Sequence, residues 1–242
     1  ALVASYNRGM RVIHESGGAT VTISQDHMQR SPAFLFASAR EARDFGLWIN
    51  ENIEEIRTVA QGTTSVGLLE GVTQFAVGPN LYLRFDYTTG DAAGQNMTSK
   101  ATNAACQWIT SAYPHGADFI LSGNIDTDKK HSQINTLLSR GKRVIAEVTT
   151  TAHALQNLVG VSPKDLFRAR QISQAGAFMA GSANNGAHAA NGLTALFIAT
   201  GQDVAKIAES HRGLLYAQLL DNGDYYWSIT LSSLVLGTHG GG

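Results

Sequence analysis

GAHAANGLTALFIATGQD, residues Gly186 to Asp203, is the stretch around which the chain is organised. Read as a helix at about 100° per residue, it puts His188, Asn191, Gln202 and Asp203 within one arc about 120° wide. Ala195 and Ala199 lie between those polar pairs, leaving room for a close approach. The other faces carry Leu193, Leu196, Phe197 and Ile198, so the helix is apolar almost all round and is expected to be buried. Polar groups at both ends of one buried face need partners, because an unpaired polar group in a core costs a few kcal/mol.

The rest of the chain limits what such a helix can serve. Its 242 residues are 43% hydrophobic and 15% charged, enough for one large domain or two modest ones. A net charge of −1 with no Lys/Arg-rich block argues against nucleic acid as a partner. No apolar run approaches the roughly 18 residues of a membrane span, and no signal-peptide pattern opens the chain. A single cysteine, Cys106, leaves no internal disulfide and no zinc motif; no metal is expected, and a reducing cytoplasm is the expected location. The chain opens directly in an apparent helix and stops at GTHGGG, which reads as a piece of something longer.

Residues 1–15 read as a helix ended by Ser16-Gly17-Gly18, and Ala19 to Ser24 as a strand followed by a turn, QDHMQRSP. A compact unit comes next. Ala33–Ala37 is a strand, Ala39 to about Ala60 a helix, Ser65–Ala76 and Leu81–Tyr87 two strands around a Gly78-Pro79-Asn80 turn. Asp91–Tyr113 is a second helix and Ala117–Leu121 a closing strand. The order βαββαβ is the ferredoxin-like split βαβ arrangement. Beyond it come the loop SGNIDTDKKH, a helix through Arg140, a strand Arg143–Thr149, a helix to about Gly160 and a helix start at SPKDLF. Two strands, Leu214–Leu220 and Tyr225–Leu231, close the chain around the hairpin signal Asp221-Asn222-Gly223-Asp224.

Three further stretches carry chemistry. GDAAGQNM, Gly90 to Met97, leads from strand to helix with Asp91 placed as a cap, a setting whose backbone N–H groups suit a phosphate. TDKK, Thr127 to Lys130, sets an acid beside two lysines; a lysine held near an aspartate in a dry site stays protonated and can stabilise an oxyanion. GTHGGG, Gly237 to Gly242, has few side chains to block a flat ring. In order, LVASYNRG, GDAAGQNM, SGNIDTDKK, MAGSANNGAHAANGLTALFIATGQD and LGTHGGG resemble the hydroxymethylglutaryl-coenzyme A reductase family over nearly the whole chain.

The resemblance implies an α+β fold: a discontinuous large domain, 1–31 with 122–242, built around a long buried central helix. A small ferredoxin-like domain at 32–121, binding the nicotinamide cofactor, is inserted in it. The reaction implied is the four-electron reduction of hydroxymethylglutaryl-CoA to mevalonate and coenzyme A by NADPH or NADH, with NADPH favoured. Lys129 matches the catalytic lysine and Asp203 the aspartate bonded to it. Ser65, Asp91, Ala92, Ala93, Gly94, Gln95, Asn96, Gly240 and Gly241 match cofactor contacts. Ser5, Asn7, Arg8 and Arg11 match a segment lining the coenzyme A site. Arg30, Ser122, Asn124, Asp128, Lys130, His188 and Asn191 match positions around the acyl-CoA. The family also implies a homodimer or homotetramer with active sites between subunits.

Departures from the family are informative. Its catalytic glutamate precedes the segment that begins here as ALVAS, and the histidine that protonates the leaving thiolate comes after GTHGGG, so neither is in this sequence. This stretch by itself is expected to turn over poorly or not at all. His131 stands where a proline is common, Gln95 replaces a usual methionine, and Arg170 is the stand-in for a substrate-binding lysine. Val66 occupies the place where some members put an arginine for an NADP 2′-phosphate, which leaves NADH open. The rival reading is a non-catalytic acyl-CoA or nucleotide-binding module of the same fold. A Glu-Gly before Ala1 and a histidine after Gly242 in the parent gene would separate the two.

Overall fold

The computed structural model describes residues 2–240. Along the chain run α1 (Leu2–Glu15), β1 (Thr20–Arg30), β2 (Ala33–Leu35), α2 (Ala39–Glu51), α3 (Ile53–Gln61), β3 (Leu69–Val77), β4 (Asn80–Tyr87), α4 (Gln95–Ala112) and β5 (Asp118–Ile120). They are followed by α5 (Gln133–Leu138), β6 (Gly141–Thr150), α6 (Ala152–Val159), α7 (Pro163–Met179), α8 (Ala189–Ala199), a 3-10 turn (Val204–Lys206), α9 (Ile207–Ser210), β7 (Gly213–Leu219) and β8 (Tyr225–Leu234). Two compact units result. One holds residues up to Gln25 together with Lys142–Leu234; the other holds Asp26–Gly141 together with the segment from Val235.

The second unit contains the expected βαββαβ order. Its strands lie β5-β2-β4-β3, and every pairing is antiparallel. β4 is therefore wedged between β2 and β3, which is the split of the split βαβ arrangement. Alternate residues of β4 turn Leu81, Leu83, Phe85 and Tyr87 into a core with Phe34, Phe45, Ile49, Ile56, Ala105 and Ile109. Phe45 lies 4.8 Å from Phe34 and 4.9 Å from Tyr113, ring centre to ring centre, the second pair edge-on. The span 39–60, read as one helix, is two: Asn52 breaks it at φ −110°, ψ 20° and donates its side chain back to the Trp48 carbonyl at 2.8 Å.

Segments read as belonging to the large domain pack with this unit instead. QDHMQR is not a turn but the second half of β1, where Met28, Gln29 and Arg30 pair with Tyr87, Asp86 and Phe85. Met28 and Gln29 are buried, so polar lettering at 25–27 is outweighed by the surface that pairing with β4 covers. The Gly123 N–H donates to the Ser31 carbonyl at 2.7 Å, drawing 122–141 onto the same unit. The Thr238 N–H donates to the Asp91 carbonyl at 2.8 Å and does the same for the segment after β8.

In the first unit β1, β6, β8 and β7 are successive neighbours in a sheet. β6 and β8 run antiparallel from Lys142↔Leu234 to Thr150↔Tyr225, and β7 and β8 form the expected hairpin, with Gly223 at φ 85° in its turn. α1, α6 and α7 cover this sheet around Val12, Leu155, Leu166, Phe167, Tyr225 and Trp227. The organising stretch differs from its reading. Its helix is α8 alone, and only Phe197 among its residues is buried; Leu196 and Ile198 are 60% and 67% exposed. The reason for the early stop is Gly201, at φ 68°: Gln202 N–H donates to the Phe197 carbonyl (2.8 Å) and Gly201 N–H to that of Ile198 (3.4 Å), a Schellman closure. Gln202 and Asp203 therefore lie beyond the helix, and the Asp203 carboxylate caps the 3-10 turn by accepting from Ala205 N–H at 3.0 Å. Among the described residues no helix is long and apolar enough to cross a membrane.

Candidate functional site

In the first unit α1 and α8 are brought together by a glycine. A Cβ on Gly192 would stand 2.6–2.8 Å from the Tyr6 ring, so only hydrogen fits there. The Tyr6 hydroxyl donates to the His188 carbonyl at 3.3 Å, and His188 itself is the N-cap residue of α8. Beside this contact lies a cleft of about 800 Å³ lined by Ser5, Tyr6, Gly9, Met10, Ile13, His188, Asn191 and Trp227. Ser5, His188 and Asn191 thus line one cleft. Asn7, Arg8 and Arg11 do not. At about 100° per residue they fall on the other side of α1 from the cleft-lining residues, and all three are exposed.

Two asparagines that sequence reasoning passed over hold this arrangement. Asn185 donates to the Leu215 carbonyl (2.7 Å) and accepts from the Leu215 N–H (2.6 Å), as a neighbouring strand would. Asn184 accepts from Gly213 N–H at 2.8 Å. Side-chain amides thus satisfy the free edge of β7 and fix the loop that leads to His188. Asn185→Ala is expected to cost about 2 kcal/mol, two backbone hydrogen bonds being lost together. A urea melt compared with the parent protein measures it.

In the second unit the chemistry-bearing loop is 122–132. Three of its residues other than glycine are left-handed: Asn124, Thr127 and Lys129, at φ 67°, 50° and 56°. Such conformations cost about 1–2 kcal/mol each and persist only where surroundings impose them. Here a polar network imposes them. The Thr127 hydroxyl shares a hydrogen bond with Ser132 (2.8 Å) and accepts from Asn135 Nδ2 (2.7 Å), which also donates to the Asp126 carbonyl at 3.0 Å. Lys130 Nζ donates to Asn124 Oδ1 (3.2 Å) and to the Asp128 carbonyl (3.1 Å). Arg30 stands 3.7 Å from the buried Asp126 carboxylate. In this loop Lys130 is exposed, and Ser122, Asn124 and Lys129 are at least partly so.

Beneath the loop lies a buried basic layer that sequence reasoning missed. Arg84 and Arg140 are both fully buried. Arg84 donates to the Ser139 carbonyl, and burial pushes its guanidinium below the usual arginine range while Asp86 pulls the other way. Arg140 donates to Asp128 Oδ1 at 2.9 Å and to the Gln29 carbonyl at 3.3 Å. In sequence Arg140 closes an apparent helix; the helix ends two residues earlier, and nothing in its spacing marks it as a core residue.

The cofactor-matching loop is joined to the same loop. Its helix, α4, starts one turn later than read. The cap position is Gly94 at φ 75° with no side-chain bond, so Asp91 is not the cap. Asp91 instead offers its carbonyl to the N–H groups of Thr238 (2.8 Å) and His239 (3.1 Å). Thr89 hydroxyl donates to the Ala92 carbonyl at 2.7 Å and tightens the bend. Gln95 Nε2 donates to Asp128 Oδ2 at 2.7 Å, the link to the loop carrying Lys129. Asn96 lies in the first turn of α4. Ser65 and Val66 lie in the turn before β3. That turn is brought to α4 by Gly67, whose Cβ would lie 2.6 Å from the Met97 sulfur. The glycines after β8 serve differently from expectation: Gly237 is the one that fits tightly, a Cβ there lying 2.7 Å from Ala93 N, whereas Gly240 faces open space. Gly241 lies outside the described residues. Lys129 belongs to the second unit and Asp203 to the first. Among the described residues no cluster of three or more histidine, cysteine or acidic side chains is able to hold a metal ion.

The family model described as hydroxymethylglutaryl-coenzyme A reductase matches residues 1–242. The chain is 40% identical over its whole length to the 3-hydroxy-3-methylglutaryl-coenzyme A reductase of Pyrococcus horikoshii and covers 59% of that protein. It is also 40% identical to the enzyme of the same name from Methanothermobacter thermautotrophicus, covering 61% of it. It therefore spans about three-fifths of the length of these curated relatives. A solved class II 3-hydroxy-3-methylglutaryl-CoA reductase from Streptococcus pneumoniae, bound to NADPH, superposes with a TM-score of 0.75 over 99% of this chain and 66% of that one. At 23% identity that likeness speaks for the fold. With five motifs in order and the family matched from end to end, the chain belongs to the hydroxymethylglutaryl-coenzyme A reductase family.

Proposed function

We propose that the whole protein reduces hydroxymethylglutaryl-CoA to mevalonate and coenzyme A with a nicotinamide cofactor, in the cytoplasm, and that this stretch supplies most of its binding surface. The observation that carries the reading is the 2.7 Å bond from Gln95 to Asp128, which ties the loop matched to the cofactor to the loop matched to the substrate. The residues present fit a dinucleotide. The first turn of α4 has no side-chain cap, and the backbone at Gly237 packs against Ala93. Ala92, Ala93, Gly94, Gln95 and Asn96 would hold it, with Ser65 beside them and Gly240 and Gly241 after the tight segment. When bound, one cofactor molecule would supply hydride to the thioester carbonyl and a second would supply it to the aldehyde left once coenzyme A departs.

The residues of this stretch are proposed to supply charge and positioning. Lys129 is proposed to set an ammonium against the negative charge that grows on the carbonyl oxygen, and Asp203 is the position that matches the family's partner aspartate. His188, Asn191 and Ser5 are proposed acyl-CoA contacts of the first unit, and Asp128, Lys130, Asn124, Ser122 and Arg30 proposed acyl-CoA contacts of the second. NADPH is the favoured cofactor, although Val66 brings no charge to a 2′-phosphate. Assembly into a homodimer or homotetramer is supported by apolar side chains left open on the first unit: Val3 and Met10 on α1, Phe178 and Met179 on α7, Leu196 and Ile198 on α8. The test is oxidation of NADPH and of NADH by the full-length protein, followed by absorbance. Consumption of two cofactor molecules per hydroxymethylglutaryl-CoA is expected. Binding of both ligands without oxidation would instead favour the non-catalytic module.

A further inference from the structure

The sheet of the second unit has another face, turned away from its aromatic core. The register runs unbroken from Arg30↔Phe85 to Ala33↔Tyr82, so Ser31 stands opposite Arg84 as Gln29 stands opposite Asp86. By alternation those four share that face. Gln29, Ser31 and Arg84 are fully buried beneath α5, where Arg84 donates to the Ser139 carbonyl and to Asn135 Oδ1 at 3.4 Å. The loop 122–132 reaches the same place through Asp126, which is buried and whose carbonyl accepts from Asn135 at 3.0 Å. Six side-chain atoms here are buried without a hydrogen-bond partner among the described residues: Gln29 Oε1, Arg30 Nε, Ser31 Oγ, Arg84 Nε, Asp86 Oδ1 and Asp126 Oδ2. Their opposite charges stand apart. Arg84 Nε is 3.8 Å from Asp86 Oδ1, and Arg30 Nη1 is 3.7 Å from Asp126 Oδ2. Such gaps are too long for a direct hydrogen bond and suit a bridging oxygen.

We propose that this patch is a built site for structural water, which joins β1 and β4 to the loop carrying Lys129 and Lys130. The chemistry of the six atoms selects the ligand. Gln29 Oε1, Asp86 Oδ1 and Asp126 Oδ2 accept, the two arginine Nε–H groups donate, and the Ser31 hydroxyl does either. A ligand that meets them must donate and accept at one atom, as water does. An ion fits badly, because the charges already stand in opposite pairs: Arg30 with Asp126, Arg84 with Asp86, Arg140 with Asp128. An added cation or anion would bring an uncompensated charge into a buried place. Water with two to four polar partners is the ordinary content of such a site, and it is costly to remove. The site is enclosed by the second unit's own residues and concerns how the loop is mounted, so it stands or falls independently of what the loop binds.

The test uses the full-length protein. A high-resolution crystal structure is expected to show at least one solvent peak within about 3.2 Å of three or more of the six atoms. Crystals soaked in sodium bromide or rubidium chloride are expected to give no anomalous peak there. A patch without solvent density, its arginines and aspartates closed directly on one another, overturns the proposal, and so does an anomalous peak, which would mark an ion. Ser31→Ala gives an independent reading in solution, by its sign. In a dry site the substitution removes a buried hydroxyl that nothing satisfies, and the melting temperature rises. In a hydrated site it takes one partner from the water, and the melting temperature is expected to fall by about 1–4 °C. A melting temperature of S31A equal to or above the parent's overturns the proposal.

Discussion

Lys129→Ala in the full-length protein is expected to cut kcat for hydroxymethylglutaryl-CoA reduction by about 10²–10³ while leaving the circular dichroism spectrum and the melting temperature close to the parent's. Two features lead to that split. The side chain is not buried, so its loss opens no core cavity, and its backbone is turned left-handed at φ 56° by neighbours rather than by its own packing. Lys130 N–H donating to the Thr127 carbonyl at 3.0 Å closes the turn around it. In the proposed role, removing the ammonium takes away positive charge where an oxyanion would form. Lys129→Arg is expected to recover only a small part, because a broad planar fork does not substitute for a compact point charge. Unchanged turnover in K129A would remove Lys129 from the chemistry.

The second large effect is expected at Gly94. Alanine there faces two independent obstacles. At φ 75° a side chain is strained by about 1–2 kcal/mol, and its Cβ would run into Thr89 Cγ2 and stand 2.5 Å from Thr89 Cβ. Thr89 has little room to retreat, since its hydroxyl holds the Ala92 carbonyl at 2.7 Å. Clash and strain together put the loss of stability near about 2–4 kcal/mol, and the displaced bend is expected to raise the KM for cofactor by about tenfold or more. Thr89→Ser removes the offending methyl but keeps the hydroxyl. In a G94A/T89S double variant the Cγ2 part of the clash goes, while the 2.5 Å approach to the Cβ of residue 89 and the backbone strain remain, so only a partial recovery is expected in a double-mutant cycle on melting temperature.

The small-domain topology was legible because its strands alternate and its turns carry glycine and asparagine. Leu81, Leu83, Phe85 and Tyr87 sit every second residue, and the pattern alone turns them inward. The features that escaped depend on partners far along the chain. Gln25, Asp26 and His27 have turn-like lettering, yet β1 continues past them because β4, distant in sequence, covers Met28 and Gln29. Arg140 looks like a surface residue until Asp128 and the Gln29 carbonyl are placed beside it. Asn184 and Asn185 lie within a motif whose letters assign them no task, which only the edge of β7 gives them. Where the helix after His188 stops was decided by Gly201, a glycine visible in the letters but outweighed in the reading by the apolar run before it. Of the candidate site, Ser5, His188 and Asn191 line the cleft, and Asn7, Arg8 and Arg11 lie on the far side of α1: a motif names all its letters whichever way they face.

The backbone of Thr238 and His239 ends on the carbonyl of Asp91, with Gly237 seated against Ala93. The chain beyond β8 is thereby spliced onto the bend that would receive the dinucleotide. A dye attached through a cysteine at position 239, an exposed site, would therefore sit one hydrogen bond from that bend. Its emission would register the arrival of the dinucleotide optically, before any turnover and with no second substrate in the cuvette.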